Sequence, residues 1–137
     1  MSKISTNTVI NEGGREGLSY APNKSFEVKT SMTPKAGYTN PEQLFAAGFS
    51  ACFNSALTFV LQKEGLGDLK RSMRAEVSLV GDAKALDFNL EVTLIGKIEG
   101  LSKEKTLELM KITDSVCPYS KAVKGNIPVH LEAETGE

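Results

Sequence analysis

Leu44 to Leu61 is a run of 18 residues without a charge, and it constrains this chain more than any other segment. By length it meets the rule for a membrane span. Ser50, Asn54, Ser55 and Thr58 interrupt it, no basic flank precedes it, and it is the only such run. A long helix buried at the centre of a folded protein is therefore the expectation, with no membrane involved. Its start is sharply marked: Thr39 or Asn40 can cap it, Pro41 suits the first helical position, and Glu42 favours the positive end of the dipole. The helix should run to about Lys63, with Gly65 closing it as the left-handed residue.

The elements around this helix alternate in a different period. Ser2 to Ile10, Leu18 to Ala21 and Phe26 to Thr30 read as short strands, with the turn Gly13-Gly14-Arg15-Glu16-Gly17 between the first two. Thr33 to Tyr38 reads as a loop. Arg74 to Val80 and Leu86 to Ile95 form a hairpin, the second strand setting Phe88, Leu90, Val92 and Leu94 against Asp87, Asn89, Glu91 and Thr93. Ser102 opens an amphipathic helix carrying Leu107, Met110 and Ile112, which gives out near Cys117-Pro118. A short helix to Val123 follows, then a last strand through Ile127, Val129 and Leu131, and a frayed tail from Glu132 to Glu137. This order is α+β, in one domain spanning residues 1–137.

Charge and termini narrow the function. The net charge of −1, from 16 Lys+Arg against 17 Asp+Glu, offers no global field for nucleic acid or anionic membrane. The clusters Lys70-Arg71 and Lys121 to Lys124 read as solvated faces. Met1 to Thr6 has no apolar signal core, so a cytoplasmic protein is expected. In that compartment the 2 cysteines are free thiols or a transient catalytic pair rather than a structural bridge.

Both cysteines sit in segments suited to sulfur chemistry. Glu42, Phe45, Phe49 and Cys52 share one side of the long helix, at i, i+3, i+7 and i+10. Cys52 lies about 15 Å by rise from the helix start, too far for the dipole to ionise it, and a buried thiol left alone is inert. A cation from elsewhere is needed. Arg15 is the candidate, in a glycine-rich turn, with Glu42 able to hold its guanidinium. The alternative is an exposed loop arginine and an acid that only serves the helix start. Pro118 puts Cys117 near a helix cap, where unpaired amides favour a thiolate; a small core residue is the competing reading. Phe45, Phe49 and Phe53 either line an apolar pocket or are core.

Other chemistries fit poorly. The single histidine, His130, falls on the polar face of its strand, which weakens a Cys–His pair. Zinc would need three or four ligands, and no such spacing exists. The glycine turn is no phosphate loop, since no Gly-Lys-Ser/Thr follows.

Three segments carry a resemblance. Asn40-Pro41-Glu42-Gln43-Leu44-Phe45-Ala46-Ala47-Gly48-Phe49-Ser50-Ala51-Cys52-Phe53, Val116-Cys117-Pro118-Tyr119-Ser120-Lys121-Ala122-Val123-Lys124-Gly125-Asn126-Ile127 and Gly13-Gly14-Arg15-Glu16-Gly17 resemble motifs of the organic hydroperoxide resistance (Ohr) proteins, within the wider Ohr/OsmC family of thiol peroxidases. The first is highly specific for the Ohr branch. Similarity of element order extends over nearly the whole chain; the loop Ser31 to Tyr38 is short. The resemblance implies an Ohr/OsmC-like fold with antiparallel sheets around a long central helix, as an intertwined homodimer. It implies Cys52 as the peroxidatic cysteine, Cys117 as the resolving one, and Arg15 with Glu42 as the activating pair. It implies further that no cofactor or metal is bound and that a dithiol, typically a lipoyl group on a protein, serves as reductant. The alternatives are an OsmC-type peroxidase of different substrate preference and a non-catalytic module binding small apolar ligands. A redox-sensing regulator would need a DNA-binding surface, for which there is no signal.

Overall fold

A computed structural model describes all residues, 1–137. The architecture is α+β, in two compact units, Met1–Leu44 and Phe45–Glu137.

The first unit is a four-stranded sheet of β1 (Ile10–Glu12), β2 (Leu18–Tyr20), β3 (Glu27–Thr30) and β4 (Tyr38–Thr39), in that spatial order. The first two pairings are antiparallel and β3–β4 is parallel, so the sheet is mixed. The strand expected from Ser2 is confined to Ile10–Glu12. Its partner sets the limit: Ile10 pairs with Tyr20, and beyond Tyr20 the chain reaches Pro22, which has no amide to give a ladder. The glycine turn is closed by side chains. Gly14 N–H donates to Asn11 Oδ1 at 3.0 Å, Gly17 N–H to Thr30 Oγ1 at 3.1 Å, and Thr30 Oγ1–H to Gly14 O at 2.8 Å. Gly17 admits no side chain, since a Cβ there would fall 1.9 Å from the Glu12 carbonyl oxygen.

The long helix α1 (Pro41–Lys63) follows. Asn40 caps it, its Oδ1 accepting from Gln43 N–H at 2.8 Å. It ends as expected, with Gly65 at φ 73° and Leu66 N–H bonded to Leu61 O at 2.9 Å. It buries Phe49, Phe53, Ala56, Leu57, Val60 and Leu61 and so serves as a core helix, despite being long and apolar enough to cross a membrane.

The second unit adds β5 (Arg71–Asp82), β6 (Asp87–Ile98), α2 (Lys103–Asp114), α3 (Pro118–Val123) and β7 (Val129–Glu134). The sheet order is β5-β6-β7, with an antiparallel hairpin and a parallel β6–β7 pair. A parallel neighbour needs a crossover, and α2 and α3 supply it. Register sets Val77 beside Val92, Ala75 beside Leu94, and Leu94 beside Leu131. That face meets Phe49, Phe53, Ala56, Met110 and Cys117 in one core cluster. Leu57, Val60 and Leu61 pack with Ile98 and Leu109 in another. Each such side chain stabilises the fold by about 1.5–3 kcal/mol. The opposite face is charged, with Arg74–Glu76, Arg74–Glu134 and His130–Glu91 pairs.

The tail expected to fray is held instead. Ile95, Gly96 and Lys97 pair with Glu132, Ala133 and Glu134, and Gly136 N–H donates to Leu101 O at 2.9 Å. The outward-pointing acids conceal in sequence that this segment completes a sheet.

Candidate active site

The candidate site of the second unit begins with α1, which presents a half-buried Cys52, and with the α2–α3 junction, which presents Cys117. Ser102 caps α2 through an Oγ that accepts from Lys105 N–H at 3.1 Å. At the far end the amides of Val116 and Cys117 both donate to Thr113 O at 2.9 Å, which turns the chain. Cys117 becomes the cap of α3, with φ −62° and ψ 123°, Pro118 follows at the first helical position, and Cys117 O accepts from Lys121 N–H at 3.0 Å. The Cys117 sulfur makes no capping bond and is fully buried.

Both cysteines are free thiols, and the fold brings them together: Cys52 packs against the core cluster that contains Cys117. Burial pushes the Cys52 pKa above the ordinary thiol value. The backbone N–H of Tyr119, directed at the Cys52 sulfur, pulls it down; the hydrogen bond to Cys117 and the negative charge Cys117 carries when ionised push it further up. Within this unit the balance favours the neutral thiol.

Aromatic side chains flank the pair. The Tyr119 ring lies 5.8 Å from that of Phe49 and 6.4 Å from that of Phe45, and Phe45 meets Phe49 edge-on at 6.0 Å. Phe49 and Phe53 are fully buried in the core, whereas Phe45 is partly exposed at its edge.

In the first unit, Arg15 Nη2 donates to Glu42 Oε2 at 3.0 Å, with the arginine side chain 42% and the glutamate 17% exposed. The turn bonds described above fix the backbone on either side of Arg15, and Glu16 Oε1 accepts from Met32 N–H at 2.8 Å. The pair joins the guanidinium and the carboxylate that the need for a cation put forward together.

His130 lies on the solvated face, where its Nε2 meets Glu91 Oε1 at 3.0 Å. No three His, Cys, Asp or Glu side chains converge in a way that would hold a metal ion.

Two features escape sequence reasoning. Arg71, read there as half of a solvated basic pair, is a half-buried clamp with its side chain 10% exposed. Its Nε donates to Asn54 Oδ1 at 2.6 Å, Nη2 to Asn54 O at 3.1 Å and to Thr58 Oγ1, and Nη1 to Leu69 O and Asp68 Oδ1, each at 3.1 Å. The polar pair Asn54 and Thr58, one turn apart on an apolar helix, was the available signal. The Tyr119 amide left none, because its aim depends on how α3 packs.

An α+β fold that sets a free thiol on its long helix against a core cluster holding a second, at a helix cap, matches a known class of protein. The chain belongs to the OsmC-like protein family, whose model matches residues 34–132. It is 44% identical to the organic hydroperoxide resistance protein OhrA of Bacillus subtilis, over 93% of this chain and 94% of that one. It is 36% identical to organic hydroperoxide resistance protein-like 2 of Staphylococcus epidermidis, over 96% of each. The crystal structure of OhrB of Bacillus subtilis superposes with a TM-score of 0.86 at 34% identity, covering 96% of this chain and all of that one.

Proposed function

We propose that this protein is a cytoplasmic, thiol-dependent peroxidase that detoxifies organic hydroperoxides, alkyl or lipid, by reducing them to alcohols. The observation that carries the reading is the packing of a free thiol, Cys52, against the core cluster that holds a second, Cys117. The names of the relatives support the substrate class.

In the proposed reaction the Cys52 thiolate attacks the distal peroxide oxygen, the O–O bond breaks, and the alkoxide leaves as alcohol after taking up a proton. Cys52 becomes a sulfenic acid. Cys117 then attacks that sulfur, forming a disulfide and releasing water, which guards Cys52 against further oxidation. An external dithiol, such as a lipoyl group on a partner protein, reduces the disulfide. Arg15 with Glu42 is assigned the activating role, because burial raises the Cys52 pKa and a guanidinium stays charged in a pocket. Phe45, Phe49 and Phe53 are assigned the apolar wall, with Phe45 the one that keeps exposed surface to meet a substrate.

The same reading makes residues 1–137 one working domain within an intertwined homodimer. Exposed apolar surface supports it. The Val77–Val92 face of the hairpin continues outward through Leu79 and Phe88, 47% and 50% exposed, and Phe59 on α1 is 67% exposed. Faces of this kind mark contact surfaces.

The test is anaerobic reduction, one equivalent of cumene hydroperoxide, and mass spectrometry of the cysteine peptides. The wild type should yield the Cys52–Cys117 disulfide, and Cys117→Ser a trapped Cys52 sulfenic acid. If Cys52→Ser consumes peroxide as fast as the wild type, the assignment is wrong.

A further inference from the structure

We infer that Gly48 and Tyr119 form a seat that sets the alignment of Cys117 against Cys52, and that Tyr119 is the positioning residue for disulfide closure. The inference rests on the proposed Cys52–Cys117 redox pair and goes beyond it.

Gly48 lies one turn before Cys52 on α1, on the same side of the helix. A Cβ added there would come 2.8 Å from the Tyr119 hydroxyl oxygen, 3.1 Å from Cε2 and 3.2 Å from Cζ. The phenol therefore rests on bare helix backbone, a place only glycine leaves open. Glycine inside a helix is otherwise unfavourable relative to alanine, so the contact gives that choice a reason. Phe49 and Phe45 hold the ring from its sides. The same residue directs its N–H at the Cys52 sulfur. Tyr119 thus meets α1 through its ring at Gly48, one helical turn before the thiol whose pKa its amide lowers.

Cys117 is two residues away on the same turn of chain, tied through its carbonyl to Lys121 and through its amide to Thr113. Displacing the ring moves this short turn, and Cys117 with it. Tyr119 keeps 40% of its surface exposed, so its placement, more than its burial, is what the seat secures.

Closure is sensitive to that placement. The Cys117 thiolate sulfur attacks the Cys52 sulfur, the S–S bond forms and the S–O bond of the sulfenic acid breaks. The departing oxygen takes the proton given up by the Cys117 thiol and leaves as water. Cys117 sulfur is oxidised, and Cys52 sulfur, oxidised in the preceding step, is reduced by the same amount. The two sulfurs must meet within a narrow range of separation and dihedral angle.

The experiment uses the full chain, reduced anaerobically, mixed with one equivalent of cumene hydroperoxide and quenched over time. Dimedone traps the sulfenic acid, and intact-mass spectrometry follows the disulfide. Gly48→Ala should slow closure by about tenfold or more, with the dimedone adduct accumulating, while the first peroxide consumption changes by less than about threefold. Tyr119→Ala should slow closure likewise. Gly48→Ala combined with Tyr119→Phe, which removes the nearest atom, should recover at least about threefold of the lost closure rate. A merely structural role would lower thermal stability without separating the two rates. Closure in Gly48→Ala as fast as in the wild type, or no recovery in the double variant, overturns the inference alone. A wild type that forms no Cys52–Cys117 disulfide removes the underlying reading and this inference together.

Discussion

Truncating Arg71 to alanine should unfold the protein at a markedly lower temperature. The side chain is 10% exposed and donates to Asn54 Oδ1, Asn54 O, Thr58 Oγ1 and Leu69 O, besides Asp68. The Asp68 pair contributes little, since that carboxylate is 81% exposed. The cost lies with the part-buried acceptors left without a donor, roughly 1–3 kcal/mol apiece where water does not reach them. Allowing for relaxation, about 3–5 kcal/mol in total is expected. Unfolding entropy near 2.1 cal/mol/K per residue gives about 0.29 kcal/mol/K for 137 residues. Tm should then fall by about 10–17 °C. Arg71→Lys should recover part of this, because an ammonium cannot span Asn54, Thr58 and Leu69 at once, and Asp68→Asn should cost less than about 0.5 kcal/mol. Thermal unfolding followed by circular dichroism at one fixed protein concentration measures this without interference from association. A fall of less than about 4 °C, or no coupling between Asn54→Ala and Arg71→Ala in a double-mutant cycle, would refute the clamp.

Four further outcomes follow. Cys117→Ala removes a hydrogen bond and a neighbouring charge that both hold the Cys52 pKa up, so the pH profile of Cys52 alkylation by iodoacetamide should move to lower pH; an upward move would contradict the contact. Because the folded-state thiol pKa is raised, the folded protein binds more protons than the unfolded chain; this stability is full below the ordinary thiol value and lost as pH rises through the folded pKa, a slope that Cys52→Ala should flatten. Gly81→Ala puts a Cβ 2.0 Å from Asp87 O at φ 139° and should cost about 2–4 kcal/mol, whereas Gly96→Ala meets the flexible ends of Met110 and Met73, at 2.7 and 3.1 Å, and should cost about 1 kcal/mol; reversed denaturation midpoints would sink the argument. Under the proposed function, kcat/KM for cumene hydroperoxide should exceed that for hydrogen peroxide by about 50-fold, from burying some 100 Å² of apolar tail at about 25 cal/mol/Å²; equal efficiencies would remove the apolar wall.

Much of this was readable in the sequence where local chemistry decides the outcome. Pro41 and Gly65 delimit α1 because one suits a helix start and the other a left-handed end. Pro118 makes Cys117 a cap for the same local reason. The hairpin follows from alternation, although its strands run three residues further at the base than Arg74 and Ile95 suggest. What stayed hidden depends on partners distant in the chain. Alternation in Ser2 to Ile10 looks like a strand whether or not a neighbour exists, and β2 offers only three residues to pair with. Glu132 and Glu134 look like a solvated tail until β6 is seen beside them. Arg71 beside Lys70 looks like surface charge until β5 brings it to Asn54.

The burial of Cys52 carries a tension that orders the proposed chemistry. α1 carries no charge from Leu44 to Leu61 because that stretch serves the core, and the same property raises the pKa of its thiol. The amide of Tyr119 opposes that shift but does not reverse it, so a thiolate at neutral pH requires a full positive charge in addition. Arginine meets this requirement better than lysine, because its charge survives desolvation and one edge can bind a carboxylate while the other faces sulfur. The 3.0 Å Arg15–Glu42 pair supplies the carboxylate half of that arrangement. An apolar setting that resists ionisation also accepts an alkyl tail more readily than it accepts hydrogen peroxide. The proposed selectivity and the need for a cation therefore share one cause: a thiol placed on the uncharged stretch of a core helix.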